Sequence, residues 1–147
     1  MLEVPEFEST RLARERARHS SDGVLTLQVC NECGRVEYPS RSVCSGCLSA
    51  ALSWSQVPAA GRVIATAVVH ASLHPRFREQ GPWRICSVVL DAGPRVLAYV
   101  ADDAIRPGDA VEIHDRQAGE EQRVLLAEKS RPPDNASDNA SDNKEQQ

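Results

Sequence analysis

The sequence predicts a mainly β protein made of an N-terminal helix, a cysteine-rich ribbon and a small five-stranded barrel. Two observations support this prediction. Four cysteines form two close pairs near the start of the chain, and five short segments rich in Val, Ile and Leu follow them, separated by turn residues. We therefore expect four parts: a helical segment at 1–23, the ribbon at 24–57, the barrel at 58–131 and a disordered tail at 132–147.

The N-terminal segment is predicted to be helical over residues 5–20, with Ser9 or Thr10 as the candidate N-cap. Apolar residues such as Phe7 and Leu12 are few among charged ones, so the apolar face of this helix is narrow. Such a helix is marginal alone, and we expect it to pack on the ribbon or on a partner. Its four arginines are predicted to form a solvated face: Arg11, Arg14, Arg16 and Arg18.

The cysteines Cys30, Cys33, Cys44 and Cys47 have the spacing C-x2-C-x10-C-x2-C. An extended segment at 24–29 leads into them, and each pair can lie on a tight turn that directs two thiolates at one tetrahedral ion. Gly34 and Gly46 are predicted to supply positive φ angles at these turns. The segment therefore indicates a ribbon that holds structural Zn²⁺, and iron, which accepts the same ligand set, is the alternative metal.

Two disulfides are the less favoured interpretation of this cluster. The first ten residues contain three glutamates and no apolar stretch typical of a secretory signal, so we expect a reducing compartment.

The remainder of the chain predicts a barrel. Residues 52–57 read as a strand, and 58–61 as a linker. Short segments of high β-propensity follow at 62–70, 84–90, 95–100, 110–113 and 122–127, with turn residues at 91–94, 102–109 and 115–121. No helix of useful length is expected between them. This spacing favours an antiparallel five-stranded barrel of the OB type.

Composition and charge restrict the classes of function. The net charge is −4, the pI is near 5.6 and aromatic residues are 4%, so the chain lacks the basic character typical of nucleic-acid binding. The best apolar run, at 63–69, is far shorter than the ~20 residues that cross a bilayer. We expect a soluble, cytoplasmic protein with no membrane contact.

An ordered series of motifs closely resembles the DUF35 family, whose members join a rubredoxin-like zinc ribbon to an OB-fold barrel. The series covers about residues 1–130 and consists of CNECGR (30–35), Tyr38-Pro39, CSGC (44–47), Trp54, GRV (61–63), VVH (68–70), VVLDAGPR (88–95) and IRPGDAVE (105–112). The resemblance implies an accessory protein that assembles with a thiolase-fold enzyme and helps to shape the channel for a CoA ester. It carries over the four cysteines as metal ligands and no catalytic residue.

The residues themselves also favour a noncatalytic protein. The four histidines, His19, His70, His74 and His114, show no spacing typical of a catalytic triad or an open metal site. Cys86 is the cysteine outside the ribbon, and it lies in an apolar strand, so we expect it to pack rather than act as a thiolase-type nucleophile.

The loop at 71–84 is the candidate contact site for a partner or for CoA. It carries arginines suited to phosphates and aromatic residues common at interfaces: Arg76, Phe77, Arg78, Trp83 and Arg84. An ordinary surface loop with Trp83 tucked beneath it is the alternative interpretation, and contact with single-stranded nucleic acid is a third.

Three classes of function follow from the sequence. The leading hypothesis is a noncatalytic accessory subunit of a thiolase-like acyl-CoA enzyme complex, in which the partner performs thiolysis, condensation or aldol-type chemistry. The alternatives are a single-stranded nucleic-acid-binding ribbon and OB-fold protein, and a rubredoxin-like electron carrier.

Overall fold

The computed structural model describes residues 9–131 and has the predicted fold class, a mainly β chain with an N-terminal helix, a ribbon and a closed barrel. Its elements in chain order are α1 (Arg11–His19), β1 (Thr26–Cys30), β2 (Val36–Glu37), β3 (Leu52–Gln56), β4 (Ala60–Val69), α2 (Pro75–Gln80), β5 (Trp83–Leu90), β6 (Arg95–Val100), β7 (Ala110–Gln117) and β8 (Arg123–Lys129). The predicted tail at 132–147 lies outside the described residues.

The eight strands form two sheets. The ribbon sheet has the order β2-β1-β3, and the barrel closes in the order β4-β5-β6-β8-β7. All neighbouring strands are antiparallel except β6 and β8, which run parallel and pair only through Tyr99 and Val100. This is the five-stranded arrangement expected of an OB-type barrel.

The helix α1 is shorter than predicted. Thr10 is its N-cap, because the Thr10 hydroxyl accepts a hydrogen bond from the Ala13 N–H at 3.2 Å, and the helix begins at Arg11. Residues 5–8 of the predicted helix lie outside the described part of the chain. Near its other end, the ring of His19 stacks on Trp54 of β3 at a centroid distance of 5.7 Å. The helix therefore packs on the ribbon, as its narrow apolar face required.

The prediction that all four helix arginines face solvent is wrong for Arg16. Its side chain is buried, and one of its terminal nitrogens forms an ion pair with the fully buried carboxylate of Asp115 in β7. The same carboxylate pairs with Arg123 Nε of β8 at 3.0 Å. These charges join helix and barrel, because a buried carboxylate is stable only with such partners.

Two segment boundaries also differ from the prediction. The predicted linker at 58–61 already contains the start of β4, and a Cβ at Gly61 would lie 2.7 Å from both Val88 Cγ1 and the Val89 carbonyl oxygen. Glycine is needed there because two strands of the barrel approach closely. The strand β7 continues to Gln117 through a predicted turn, since Asp115 points into the buried ion cluster.

One apolar core spans the ribbon and the barrel. Leu25, Leu27 and Val57 from the ribbon part are buried together with the inward side chains of the barrel strands. Within residues 9–131 no helix combines the length and apolar character required to cross a bilayer.

Candidate functional site

The structure brings the four predicted ligand cysteines together. Their Sγ atoms all lie within 4.8 Å of one another, and the Cys30–Cys47 and Cys33–Cys44 sulfur distances are both 3.5 Å. A tetrahedral ion with Zn–S bonds of about 2.3 Å requires sulfur–sulfur distances of about 3.8 Å. A disulfide would require about 2.05 Å, so these are four thiols arranged to bind a metal.

Each cysteine pair lies on a turn closed by backbone hydrogen bonds. In the first turn, the Gly34 N–H donates to the Cys30 carbonyl at 2.9 Å, and Gly34 has the predicted positive φ of 76°. In the second, the Leu48 N–H donates to the Cys44 carbonyl at 3.0 Å, and Leu48 has a φ of 63°. Both turns thus place their left-handed residue four positions after the first cysteine of the pair.

The expectation of a positive φ at Gly46 is therefore wrong. A Cβ at this position would approach Arg35 Nε to 3.0 Å, so the small residue makes room for the side chain that crosses from the first turn. The cysteine spacing indicated that glycines are needed here. It could not show whether a glycine supplies a positive φ, as Gly34 does, or leaves space for a neighbouring side chain, as Gly46 does.

Two of the ligand thiols, Cys30 and Cys47, have pKa values shifted in opposite directions. Hydrogen bonding from the Cys33 backbone lowers the pKa of Cys30 to about 7. The Ser49 backbone lowers the pKa of Cys47, but the proton shared with Cys30 and burial outweigh it and raise this pKa to about 12. Four adjacent thiolates repel one another, and a bound cation allows all of them to ionise.

Glu37 of β2 is a residue of this site that sequence reasoning missed. Its carboxylate is only 4% exposed, and Oε1 accepts hydrogen bonds from both the Ser45 N–H and the Ser45 hydroxyl at 2.8 Å. Burial raises the pKa of Glu37, but the hydrogen bonds from Ser45 outweigh it and hold this pKa below its ordinary value. Glu37 thereby fixes the backbone between Cys44 and Cys47.

The predicted contact loop at 71–84 is partly helical, because α2 occupies Pro75–Gln80. Trp83 is buried, its Nε1 donates to the Phe77 carbonyl at 2.7 Å, and its ring contacts those of Phe77 and Tyr99, each at 5.7 Å. Trp83 thus lies beneath the loop, as the alternative interpretation had it. The short helix is held against the barrel by this ring cluster.

The arginines of the loop divide into two groups. Arg84 Nη1 pairs with Asp103 Oδ1 at 2.7 Å, which ties it to the barrel surface. Arg76 and Arg78 are exposed, and their side chains have no hydrogen-bond or ion-pair partner among residues 9–131. Leu73, which the sequence did not single out, is fully exposed beside them. The role of these residues in partner or CoA contact stays a prediction.

Cys86 has the surroundings of a packing residue. Its side chain is 1% exposed in β5, opposite Ala98 of β6, and burial raises the pKa of its thiol. A nucleophilic cysteine needs a lowered pKa and access to substrate. Cys86 has neither property.

Two family models match the chain, the rubredoxin-like zinc ribbon domain of ChsH2 over residues 21–53 and the C-terminal OB-fold domain of ChsH2 over residues 54–114. A DUF35 domain-containing scaffold protein of Methanothermobacter thermautotrophicus is 32% identical over 101 residues, which cover 66% of this chain and 75% of the relative. A DUF35 domain-containing scaffold protein of Methanocaldococcus jannaschii is 30% identical over 88 residues, covering 58% of this chain and 61% of the relative.

A chain of the solved Ltp2-ChsH2(DUF35) aldolase superposes with a TM-score of 0.61 at 23% identity, covering 84% of this chain and 97% of that one. At this identity the likeness shows the fold alone. The family models and the scaffold relatives confirm the resemblance to DUF35 proteins that the motif series indicated, and the chain belongs to the DUF35 family.

Proposed function

We propose that this chain is a noncatalytic accessory subunit of a thiolase-like acyl-CoA enzyme, which it stabilises while helping to form the channel for the CoA ester. The observation that carries the proposal is the similarity of ribbon and barrel to relatives described as scaffold proteins. The burial of Cys86 supports it, because the one cysteine outside the ribbon is not accessible for covalent catalysis. The partner performs the thiolysis, condensation or aldol-type step.

In this proposal the four ribbon cysteines hold Zn²⁺ as a structural cross-link. A closed four-cysteine site leaves no open coordination position for substrate, so the metal folds the ribbon and takes no part in the reaction. Iron would occupy the same ligands, and an absorption spectrum separates the two metals. A cluster of free thiols also fits a reducing compartment such as the cytoplasm.

The helix α2 is the proposed contact for the partner or for the CoA phosphates. Arg76 and Arg78 supply guanidinium groups that form no hydrogen bond or ion pair with a described residue, and Phe77 lies between them in sequence. Trp83 holds the segment in place from beneath through the ring cluster, whereas Arg84 pairs with Asp103 between β6 and β7. Arg76 and Arg78 are two positions apart and lie on different faces of α2, so each guanidinium group can contact a different phosphate of CoA.

The experiment is a reconstitution of acyl-CoA turnover from the purified partner and this chain. We expect the double variant Arg76→Ala/Arg78→Ala to lower turnover or raise the KM for the CoA ester at least tenfold. The control is Arg18→Ala/Arg131→Ala, which removes the same charge from two exposed arginines elsewhere. Equal turnover and KM for both double variants would show that α2 is not part of the site. Partner turnover that is independent of the chain would contradict the proposed function.

Binding of single-stranded nucleic acid is the second candidate, favoured by the closed OB-type barrel and the unpaired arginines of α2. The net charge of −4 opposes it. Labelled single strands that bind at low salt and dissociate at high salt would support this candidate.

A further inference from the structure

Three cavities share Tyr38 as a wall. Their volumes are about 500, 280 and 600 Å³, and they lie where the ribbon, the barrel and α1 meet. We call them together the Tyr38 groove, with Arg95 at one end, Leu97 and Val124 in the middle and Arg123 at the other end. The cysteine cluster and α2 do not account for this groove, although Cys33 borders one end.

The middle of the groove is apolar. The smallest cavity lies over the outer face of β5, β6 and β8, between the side chains of Ile85, Leu97 and Val124. Leu97 is 55% exposed there, on the outer face of β6, whereas its neighbours Val96 and Ala98 are buried on the inner face. A large apolar side chain left open at a cavity is typical of an interaction surface.

One edge of β6 is open beside this apolar cavity. Along one side, β6 pairs with β5 from Arg95 to Tyr99, but on the other side it pairs with β8 only at Tyr99 and Val100. Within residues 9–131, the stretch 95–98 therefore has no strand partner on the groove side. Such an edge offers backbone N–H and C=O groups to which an extended peptide can add as a further strand.

Arginines line both ends of the groove. Arg35, Arg41 and Arg95 border one end, where the single acid, Glu37, is already bound by Ser45 and Arg41. The other end is lined by three further arginines, each of which pairs with an acidic residue outside the lining: Arg11, Arg16 and Arg123.

At the second end, two of these arginines share one carboxylate. Arg16 and Arg123 both pair with Asp115, and Arg123 pairs with Asp22 as well, whereas Arg16 Nε has no hydrogen-bond partner. The Tyr38 hydroxyl also has no partner among the described residues, and burial raises the pKa of this phenol, so it stays a donor. Unpaired donors therefore lie on both sides of the apolar centre, Arg95 at one end and Arg16 Nε with the Tyr38 hydroxyl at the other, and carboxylate oxygens are suitable acceptors for them.

We propose that an extended segment of the partner protein docks in the Tyr38 groove, adds as a strand to the 95–98 edge of β6, and carries an apolar side chain flanked by carboxylates. The apolar side chain fills the cavity at Leu97, and the carboxylates pair with the arginines at the two ends. The inference rests on the proposed function in requiring a partner, and it places the strand contact away from α2.

The experiment uses the full chain with a photoreactive benzoylphenylalanine at position 97, expressed in the native host, irradiated and sequenced at the linked peptide. The comparison carries the same group at position 73, beside α2. We expect position 97 to link to one extended acidic and apolar segment of the thiolase-like partner. Leu97→Asp should weaken partner retention at least about tenfold, because it places a carboxylate in the apolar centre of an acid-binding groove. The control is Ile64→Asp, at a side chain 45% exposed on β4.

The outcomes separate the two proposals. Links from position 73 to the partner, with none from 97 and unchanged retention of Leu97→Asp, would leave the accessory function standing and overturn the groove assignment. Links from 97 to residues 132–147, or to a second copy of the chain, would show a different occupant and overturn it as well. Links to no protein from either position would contradict both proposals.

Discussion

The ribbon and the barrel lie side by side but are stabilised by different means. The barrel buries Val88, Ile105, Val111 and Ile113 completely, so apolar packing accounts for its fold. In the ribbon between β1 and β3, residues 31–51, the buried side chains are Cys44 and Glu37, while Val43 and Leu48 are 43% and 74% exposed. We therefore expect this tip of the ribbon to need a bound metal ion to fold, whereas the barrel does not.

The largest effect should follow from removing one thiolate. We expect Cys44→Ala to lose the metal and unfold the ribbon tip, because metal binding supplies folding free energy on the order of 10 kcal/mol in such sites. Metal analysis and amide NMR check this. The resonances of residues 31–51 should move to the chemical shifts of an unfolded chain, while those of the barrel strands stay in place. Cys86→Ala is the matched control and should keep its metal, and an unchanged metal content in Cys44→Ala would refute the assignment.

The next effect concerns the joint between the helix and the barrel. We expect Asp115→Ala to lower the free energy of unfolding by about 3–5 kcal/mol, because it leaves two arginines without their buried carboxylate. Urea denaturation measures this. Asp91→Ala, at an exposed side chain with no ion-pair partner among residues 9–131, removes the same charge and should cost far less. Equal costs for the two variants would show that the buried cluster does not hold α1 to the barrel.

A smaller effect should be confined to the metal site. We expect Glu37→Gln to weaken metal affinity by about 10- to 100-fold, because the carboxylate orients the backbone between two ligands through Ser45. Competition with a chelator of known affinity measures the change. The control Glu32→Gln alters an exposed acid next to Cys33 and should leave the metal affinity unchanged. A similar loss of affinity in both variants would show that Glu37 acts only through its negative charge and not through its hydrogen bonds to Ser45.

The smallest effect should be confined to the barrel. We expect Ile113→Val to lower the free energy of unfolding by about 0.5–1.5 kcal/mol and to leave metal affinity unchanged, because the deleted methylene lies in the apolar core. Denaturation and chelator competition on the same sample test both parts. A loss of metal affinity in this variant would mean that the two regions fold as one unit, through the core they share at Leu25 and Leu27.

The features that the sequence predicted well are those set by local spacing. Two cysteine pairs predict a metal-binding ribbon because each pair needs only one turn, and five apolar segments bounded by turn residues predict a five-stranded barrel. The unpredicted features arise between distant parts of the chain. Arg16 and Asp115 are 99 positions apart, and nothing in the local pattern of α1 separates the buried arginine from its exposed neighbours.

The same limit applies to the candidate contacts. Trp83 and Arg84 carry the residue types of an interface, but Trp83 packs against Phe77 of α2 and Arg84 pairs with Asp103 between β6 and β7. The Tyr38 groove forms between three elements that are separate in sequence, so composition gave no sign of it. Tyr38 itself entered only as part of a motif.

The composition of the complex that this chain forms in its host shows whether the chain is an accessory subunit, as we claim. A tagged copy is recovered from the soluble extract of the native host, and the co-eluting proteins are identified by mass. We predict a thiolase-like protein in stoichiometric amount, whose acyl-CoA turnover falls when the chain is removed and returns when it is added back. Elution of the chain alone or with nucleic acid, or partner turnover that is independent of it, would contradict the claim.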